Sequence, residues 1–418
     1  MERIKTMINR ILLSAALAAI VFAGIGCQKQ QARVIEPTDY DKPLAPGQLA
    51  LRKITNPAEI PDFTDACHNL SNLSEAIDNS LNYLKKPSSR GFYPYAEITH
   101  QQVVDSLTAF KELINSGLTG RALNDAIRQR FDVWTSVGCD NAGTVLFTGY
   151  YTPIFDGSTV KTSRFQYPLY RQPDDLVKGD NGQILGRRGP GGQLSPYPDR
   201  AEIENSNMLQ GEEIVWLDDP FKVYIAHVQG SVVIRMSASP KAGETSPNGG
   251  PDGSLVTYGY AANNGHEYQS IIKQLISEGK IPADRVNLAA LLDFFKGNSS
   301  LVRQYTQINP RFVFFKKNSA NEGPRGSLNE QVIAYRSIAT DKSIFPRASL
   351  VFFSTKLPRQ IGNSTYIDPF EGFALDQDTG GAIRAAGRCD IYLGQGDDAG
   401  KLAGQTYQEG RLYYLFLK

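Results

Sequence analysis

Near its C-terminus the chain reads ALDQDTGGAIR (residues 374–384), followed by GRCDIYLGQG (residues 387–396). Two apolar runs of β-strand type flank a turn with two adjacent glycines, which allow a tight turn and close approach of the backbone to a ligand. Asp378 precedes the glycines and Asp390 opens the second apolar run, so each carboxylate is expected at a strand end. This stretch predicts a groove with two acidic side chains. The alternative is that Asp378 caps a turn and Asp390 is an exposed loop acid.

Length and charge restrict the class of protein. The 418 residues are enough for two domains of about 100–200 residues each. The 44 basic and 43 acidic residues leave almost no net charge, so the basic field that nucleic-acid binding requires is absent from the sequence. The four histidines are scattered, and none stands at metal-ligand spacing from a cysteine. We therefore predict no nucleic-acid partner, no metal and no other cofactor.

The first 27 residues have the pattern of an export signal. After a positive start, the apolar run Ile11–Ile25 is too short for a comfortable membrane span, and small residues precede Cys27. The pattern resembles a bacterial lipoprotein signal, although Gly24 stands where such signals usually have Leu. Cleavage would leave a lipidated Cys27, and Gln28 after it resembles the outer-membrane class of lipoproteins. Plain secretion after cleavage at the same small residues is the alternative.

The next segment and the remaining cysteines carry less information. Residues 28–47 contain three prolines among polar residues, which predicts a flexible tether between membrane and domain. Cys67 and Cys139 could form a disulfide in an exported protein, but the sequence leaves this open. Cys389 is expected to be a small buried residue of the core.

Hydrophobic periodicity divides the chain near Cys139. Before that residue, three stretches have apolar residues at helical spacing: 63–84, 100–119 and 123–134. After it, short β-type runs are separated by Gly, Pro and Asn, a texture typical of a sandwich or barrel. The predicted strands are 144–151, 165–170, 215–223, 227–236, 255–260, 311–316, 332–339, 349–353, 373–376, 389–393 and 412–417, with helices at 269–278 and 288–296.

Several motifs occur in a fixed order along the β-rich part. The first, FTGYYTP (residues 147–153), places hydroxyls and aromatic rings around a glycine, and a sugar ring needs both because it offers hydroxyls and apolar C–H faces. The others are YPLY (167–170), RAEI (200–203), WLDDP (216–220), HVQGS (227–231), Tyr258, NNG (263–265), Tyr268, NPRFVFF (309–315) and RSIATD (336–341).

Taken with the C-terminal stretch, this ordered series resembles the MltA family of membrane-bound lytic murein transglycosylases from about Val145 onward. The resemblance implies a mainly β (α+β) protein with N-terminal helices: a double-psi β-barrel made from both ends of the chain and a second β-barrel inserted between them. The implied catalytic barrel spans residues 48–152 and 321–418, and the implied substrate-binding insert spans residues 153–320. A groove between the barrels would hold the glycan strand.

The family's chemistry is cleavage of the β-1,4 bond between N-acetylmuramic acid and N-acetylglucosamine without water. The C6 hydroxyl of muramic acid attacks C1 and gives a 1,6-anhydro product. Ordinary glycosidases need two carboxylates. Here one carboxyl group suffices, since it first protonates the leaving oxygen and then accepts the C6 proton. An oriented internal nucleophile also reacts at a high effective molarity.

By the resemblance, Asp390 is the catalytic acid and Asp378 supports it by raising its proton affinity. The segment after the glycine pair, residues 384–387, departs from the Lys-Gly or Arg-Gly usual in the family. Tyr151 could instead belong to the core, Gln229 could serve only strand ends, and His227 is expected to be structural. The candidate substrate-binding residues are Thr148, Tyr151, Thr152, Gln229, Gly230, Gly380 and Gly381.

The resemblance also implies a location and partners. We expect an outer-membrane lipoprotein that faces the periplasm of a Gram-negative bacterium and binds peptidoglycan glycan strands. Cell-wall synthases or scaffold proteins could recruit it. Two other functions remain open at this point: a non-catalytic peptidoglycan-binding lipoprotein, and a glycosidase that uses water.

Overall fold

The structure is a computed structural model that describes residues 38–179, 182–237, 251–282, 288–319, 322–362 and 364–418. The predicted export signal, Cys27 and the first part of the predicted tether lie outside these ranges. No helix within them is both long and apolar enough to cross a membrane.

The described chain begins mainly with helices and continues mainly with strands. The helices are α1 (Leu73–Leu84), α2 (His100–Ile114), α3 (Gly120–Arg130), α4 (Arg200–Glu204), α5 (Pro220–Gln229), α6 (Ile271–Ser277), α7 (Leu288–Gly297), α8 (Val302–Thr306) and α9 (Gly396–Gln405). The strands are β1 (Leu51–Lys53), β2 (Phe131–Ser136), β3 (Val145–Thr152), β4 (Ile154–Ser158), β5 (Tyr167–Tyr170), β6 (Leu176–Lys178), β7 (Ile184–Arg188), β8 (Leu194–Ser195), β9 (Glu213–Leu217), β10 (Ser231–Ser237), β11 (Pro251–Asn263), β12 (Val313–Lys317), β13 (Ser337–Ala339), β14 (Leu350–Ile361), β15 (Ser364–Asp378), β16 (Arg388–Gln395) and β17 (Tyr407–Leu417).

The first barrel is built from both ends of the chain. Its strands follow the order β17-β14-β15-β13-β16-β3, and β3 pairs again with β17 to close the ring. β2 and β1 extend the sheet beyond β17. Closure removes the free edges that an open sheet would expose.

Strand β17 pairs with three neighbours along its length. Its first residues pair with β3, and the residues after Gly410 pair with β14 and β2. A Cβ atom at Gly410 would lie 2.3 Å from the carbonyl oxygen of Ser354 and 2.9 Å from the ring of Phe147. Only glycine therefore fits where the strand changes partners.

The second barrel is formed by the middle of the chain. Its strands follow the order β12-β11-β10-β4-β9-β5, and a bridge between Arg171 and Phe315 brings β5 back to β12. Its core includes fully buried Leu169, Leu217 and Phe315. β3 passes into β4 through Pro153 alone, so the chain crosses from the first barrel to the second without a loop. The predicted mainly β fold with two barrels is confirmed.

The N-terminal helices cover one side of the first barrel. Phe63 and Phe110 reach into its core, where their rings contact Phe352 and Phe373 at 4.8 and 5.0 Å between centroids. Buried Gln377 on β15 donates to the carbonyl oxygen of Ala76 on α1 at 2.8 Å. The helices and the barrel thus share a single apolar core.

Several predicted boundaries were wrong: the second helix ends at Ile114 rather than at 119, and the strand predicted at 332–339 covers only Ser337–Ala339. The first helix begins at Leu73, because the preceding residues form short 3-10 turns. The third ends at Arg130, and residues 131–136 form β2, which is rich in β-branched and aromatic residues and pairs with β1 and β17. Residues 220–229 form helix α5 rather than strand, since Asp219 caps Phe221 N at 2.7 Å and Pro220 occupies the first turn.

The described part of the predicted tether contacts the first barrel. Residues 38–47 contain no helix or strand, but Tyr40 donates to Glu409 at 2.7 Å, and Asp41 pairs with Arg388 at 3.2 Å. Cys67, Cys139 and Cys389 are all buried free thiols, so the pairing that the sequence left open is not formed.

Arg336 links the N-terminal segment to the barrel. Its buried guanidinium donates to the carbonyl oxygens of Asn69, Ser71 and Phe373 at 2.8–2.9 Å, and also to the side-chain oxygen of Asn69. Burial lowers the pKa of Arg336 to about 10. Substitution of Arg336 would leave all of these acceptors without their donor at once. Its hydrogen bonds are therefore expected to dominate the contact between the N-terminal segment and the barrel.

We predict that Arg336→Met lowers the free energy of unfolding by about 3 kcal/mol in urea titrations. The matched control is Arg359→Met: that arginine is 64% exposed and pairs with Asp368 on the neighbouring strand, so its loss should cost no more than about 1 kcal/mol. Equal effects of the two substitutions would contradict this role of Arg336.

Candidate active site

The register of three adjacent strands brings the two candidate acids to one level. β13 lies between β15 and β16, and Ala339 on β13 is the Cα partner of both Asp378 and Asp390. Two strand spacings of about 4.8 Å place the two aspartate Cα atoms about 10 Å apart. Thr148 on β3 is the next partner in the same row, opposite Asp390.

Asp390 is enclosed by protein but keeps one side open to a pocket. Its Oδ1 atom and Oγ1 of Thr148 are both buried and have no hydrogen-bond partner within the described ranges. Desolvation raises the pKa of Asp390 to about 7; the charge of Asp378 adds to the increase, while Arg388 opposes it. The Thr148 hydroxyl lies close enough to lower this pKa, although its geometry falls short of a hydrogen bond.

Asp378 has a different environment. Its Oδ1 atom accepts hydrogen bonds from Ser327 N at 2.7 Å and Thr379 N at 2.8 Å, and its Oδ2 atom accepts one from the Tyr150 hydroxyl at 3.0 Å. Burial raises the pKa of Asp378, and these three donors and nearby Lys342 offset only part of that increase. Since all three partners donate, they stabilise the ionised form.

The third aspartate of the motif, Asp376, belongs to the core. It is fully buried, forms an ion pair with Lys342, and accepts hydrogen bonds from Thr340 and from Tyr414 at 2.7 Å. Both carboxylate oxygens therefore have protein partners. The structure thus places Asp376 away from the pocket.

The pocket that contains both acids has a volume of about 280 Å³. One wall comes from the first barrel, with Asp378, Asp390 and Ala339, and the other from the second barrel and α5. Among the described residues, Asp378 and Asp390 are its only carboxylates. A groove between the barrels with two acidic side chains therefore exists as the sequence suggested.

Four of the candidate binding residues line this pocket. Gly380 and Gly381 follow Asp378 in the turn, and a Cβ atom at Gly381 would lie 3.1 Å from Cβ of Tyr268 across the groove. Gln229 ends α5, and Gly230 follows it with φ of 74°, a conformation that favours glycine. The two turns face each other from opposite barrels.

The other three candidates do not lie along this pocket. Thr148 stands behind Asp390. Thr152 is buried and shares its hydroxyl with Tyr392 at 3.0 Å and Ser231 at 3.3 Å. Tyr151 is buried in the core of the first barrel, and its backbone N donates to Oε1 of Gln229 at 3.1 Å. These contacts fix the place where the chain crosses between the barrels. They also fix the side chain of Gln229.

Sequence reasoning missed several pocket residues. Tyr150 was quoted within its motif, but nothing distinguished it from Tyr151 until the strand register showed which ring faces Asp378. Tyr268 and Arg311 line the same pocket from the second barrel. Ser327 acts through its backbone N, so no side-chain pattern could have indicated it.

His227 has the properties of a structural histidine. Its Nδ1 atom accepts from Arg200 at 3.2 Å and from Val313 N at 3.3 Å, and an arginine can only donate. Burial, together with the charge of Arg200, lowers the pKa of His227 well below its usual value, so the ring is neutral. Within the described ranges, no group of three or more His, Cys, Asp or Glu side chains could hold a metal ion.

Comparisons with known proteins agree with this architecture. The MltA specific insert domain matches residues 146–316, and the 3D domain matches residues 336–416. Membrane-bound lytic murein transglycosylase A of Escherichia coli K12 is 29% identical over 385 residues, which cover 91% of this chain and 90% of that protein. The Vibrio cholerae protein of the same name is 30% identical over 283 residues, 67% of this chain and 68% of the relative.

Solved structures show the same fold. A membrane-bound lytic murein transglycosylase from Agrobacterium tumefaciens superposes with a TM-score of 0.70 at 23% identity, covering 88% of this chain and 98% of that one. Escherichia coli MltA with bound chitohexaose superposes with a TM-score of 0.65 at 26% identity, covering 91% and 96%. The barrels, the paired aspartates and these matches lead to one conclusion: the chain belongs to the MltA family of lytic murein transglycosylases.

Proposed function

We propose that this protein is a peptidoglycan lytic transglycosylase. It cleaves the β-1,4 bond between N-acetylmuramic acid and N-acetylglucosamine and leaves a 1,6-anhydro-N-acetylmuramic acid end. The observation that carries the proposal is the contrast between two carboxyl groups in one pocket. Asp390 has an unpaired, buried oxygen and a pKa raised to about 7, whereas Asp378 accepts three hydrogen bonds.

This difference in hydrogen bonding indicates which of the two carboxyl groups carries a proton before the reaction. Three donors favour a charged Asp378, and a buried oxygen without a donor favours a neutral Asp390. Asp390 therefore enters the reaction as a carboxylic acid and gives its proton to the leaving O4 oxygen as the C1–O4 bond breaks. The charge of Asp378 stabilises the positive charge that develops at C1.

The second step needs no water. The C6 hydroxyl of the muramic acid attacks C1 and passes its proton to the Asp390 carboxylate, which returns to its starting state. One carboxyl group thus acts as acid and then as base. The nucleophile belongs to the substrate, so its translational entropy has already been lost on binding.

The sugar-binding roles follow from position. Gly380 and Gly381 offer backbone donors, and Gln229 with Gly230 approaches from the other barrel. The Thr148 hydroxyl, which is buried behind Asp390 and outside the pocket lining, acts on that carboxyl group rather than on the sugar. Tyr151 and Thr152 act behind the wall of the pocket, where they fix Gln229 and the crossing strand.

The relatives support this assignment. Two curated relatives carry the name membrane-bound lytic murein transglycosylase A, and the Escherichia coli structure holds chitohexaose, a chain of β-1,4-linked sugars. We assign the acid chemistry to residues 48–152 and 321–418 and the opposite wall of the groove to the insert, residues 153–320. Anchoring through a lipidated Cys27 would hold the protein on the periplasmic face of the outer membrane.

The reaction products test the proposal against the two other functions. Incubation with purified sacculi, followed by mass spectrometry of the released muropeptides, should yield 1,6-anhydro ends. A hydrolase would give ends heavier by one water, and a glycan-binding protein would leave the sacculi intact. Either of the latter results would overturn the proposal.

Asp390→Asn is expected to lower turnover on sacculi by about 10³-fold, because the amide cannot supply a proton to the leaving oxygen. The control is Asp398→Asn, the same change at a side chain that is 95% exposed on the same barrel. The inactive variant should unfold at or above the wild-type temperature above pH 7, where the wild type buries a charge. Retained activity would exclude Asp390 as the acid.

The pH profile should show the raised pKa directly. Asp390 must be protonated to act, so kcat/KM on soluble glycan strands should fall tenfold per unit above about pH 7. At low pH kcat/KM should fall again, where Asp378, whose pKa burial raises, takes up a proton. Since the Asp378 charge raises the pKa of Asp390, Asp378→Asn should move the alkaline limb to lower pH. A limb that stays in place or moves to higher pH would contradict this coupling.

The proposed anchor has its own test. Cells that express the wild type should incorporate labelled fatty acid into the protein and retain it in the outer-membrane fraction. Cys27→Ser should abolish the label and release the protein into the soluble fraction, because no acyl chain remains to partition into the bilayer. A labelled or membrane-retained variant would argue for a different attachment.

A further inference from the structure

A second cavity adjoins the catalytic pocket. Its volume is about 540 Å³, within the range of about 300–1,000 Å³ typical of ligand sites. It shares the wall from Asp378 to Gly381 with the catalytic pocket, and also Gln229, Gly230 and Tyr150. A group bound there would therefore belong to the same sugar unit as the scissile bond or to its direct neighbour.

The lining of this cavity is strongly basic. It contains five cationic side chains, which we call the cationic recess, while Asp378 is the only carboxylate among the described lining residues. The chain as a whole carries a formal charge of only +1, so this concentration of charge is local. The members of the cationic recess are Lys178, Arg311, Lys316, Arg325 and Arg384.

Three of the five cations have no carboxylate partner in the described part of the chain. Lys178 donates to the carbonyl oxygen of Ala261 at 2.7 Å, and Arg311 donates to that of His266 at 3.1 Å. Lys316 lies 3.5 Å from the side-chain oxygen of Asn329. Arg325 and Arg384, in contrast, each form an ion pair with a glutamate.

The unpaired cations also act on one another. Burial and the nearby charge of Lys316 lower the pKa of Lys178, and burial lowers the pKa of Arg311. Arg311 is therefore incompletely solvated, and the exposed Lys178 is repelled by Lys316. An anionic ligand in the recess would relieve both costs.

We propose that the cationic recess binds the carboxylates of the peptide carried by the muramic acid unit at the cleavage site. This inference rests on the proposed function. The sugar backbone of peptidoglycan is uncharged, whereas the peptide attached to its lactyl group carries free carboxylates. An acidic peptide thus fits the charge, size and position of the recess, and it makes the enzyme prefer peptide-bearing strands over bare ones.

The test compares binding of two soluble substrates, peptide-bearing glycan strands and the same strands after enzymatic removal of the peptides. Detergent-solubilised full-length protein with Asp390→Asn serves as the parent, so that affinity is measured by calorimetry without cleavage. The parent should bind peptide-bearing strands more tightly, and added salt should reduce this preference because the interaction is between charges.

Lys178→Gln together with Lys316→Gln should reduce the ratio of the two affinities by about fivefold, the size expected for two partly exposed ion pairs. The matched control is Lys317→Gln, which removes one charge at the next residue of β12 and outside the recess lining. Its affinity ratio should equal that of the parent.

The outcomes separate this inference from the function on which it rests. Equal affinities for both substrates in the parent, or an unchanged ratio in the double variant, would overturn the inference. So would an equal loss of affinity for both substrates, which would mean that the lysines bind the sugar or its lactyl carboxylate. Failure of the wild type to form 1,6-anhydro ends would instead refute the proposed reaction, and the affinity ratio would still decide what the recess binds.

Discussion

The pairing of β13 with both β15 and β16 is the constraint on which the site depends. Ala339 has Asp378 on one side and Asp390 on the other, because β13 runs parallel to β15 and antiparallel to β16. Two acids that are separated by a glycine turn in the sequence thereby reach the same level of the barrel. A slip by one residue on either strand would turn one acid away from the pocket. The closed barrel, whose register is fixed by six mutually paired strands, prevents that slip.

Register alone would give two similar carboxylates, and hydrogen bonding makes them different. Asp378 takes its donors from three separate parts of the first barrel: Tyr150 on β3, Ser327 in the segment that returns from the second barrel, and its own neighbour Thr379. Asp390 is buried beside an unpaired threonine hydroxyl. The free energy lost by burying Asp390 without a donor is a cost to stability that keeps a proton available near neutral pH.

The sequence predicted the fold class, the order of the motifs and the acids, but not the distances among them. Hydrophobic periodicity found the N-terminal helices, yet it extended the third helix over residues 131–134, because tertiary pairing with β17 overrides helical spacing there. Asp376 and Asp378 differ by two positions and look equivalent in sequence. Lys342 and Tyr414, which are distant along the chain, make the first a core residue. The cationic recess was also invisible, since its five members come from four separate segments.

The return segment explains how an inserted barrel can contribute to the chemistry of the first. Gly326 packs so closely on β15 that a Cβ atom there would lie 2.8 Å from the carbonyl oxygen of Gln377 and 3.1 Å from Cγ of Asp378. Ser327 follows and donates its backbone N to Asp378. The same segment carries Arg325 and Asn329 into the wall of the cationic recess. One short stretch of chain therefore holds the carboxyl group of Asp378, faces the neighbouring cavity and connects the two barrels.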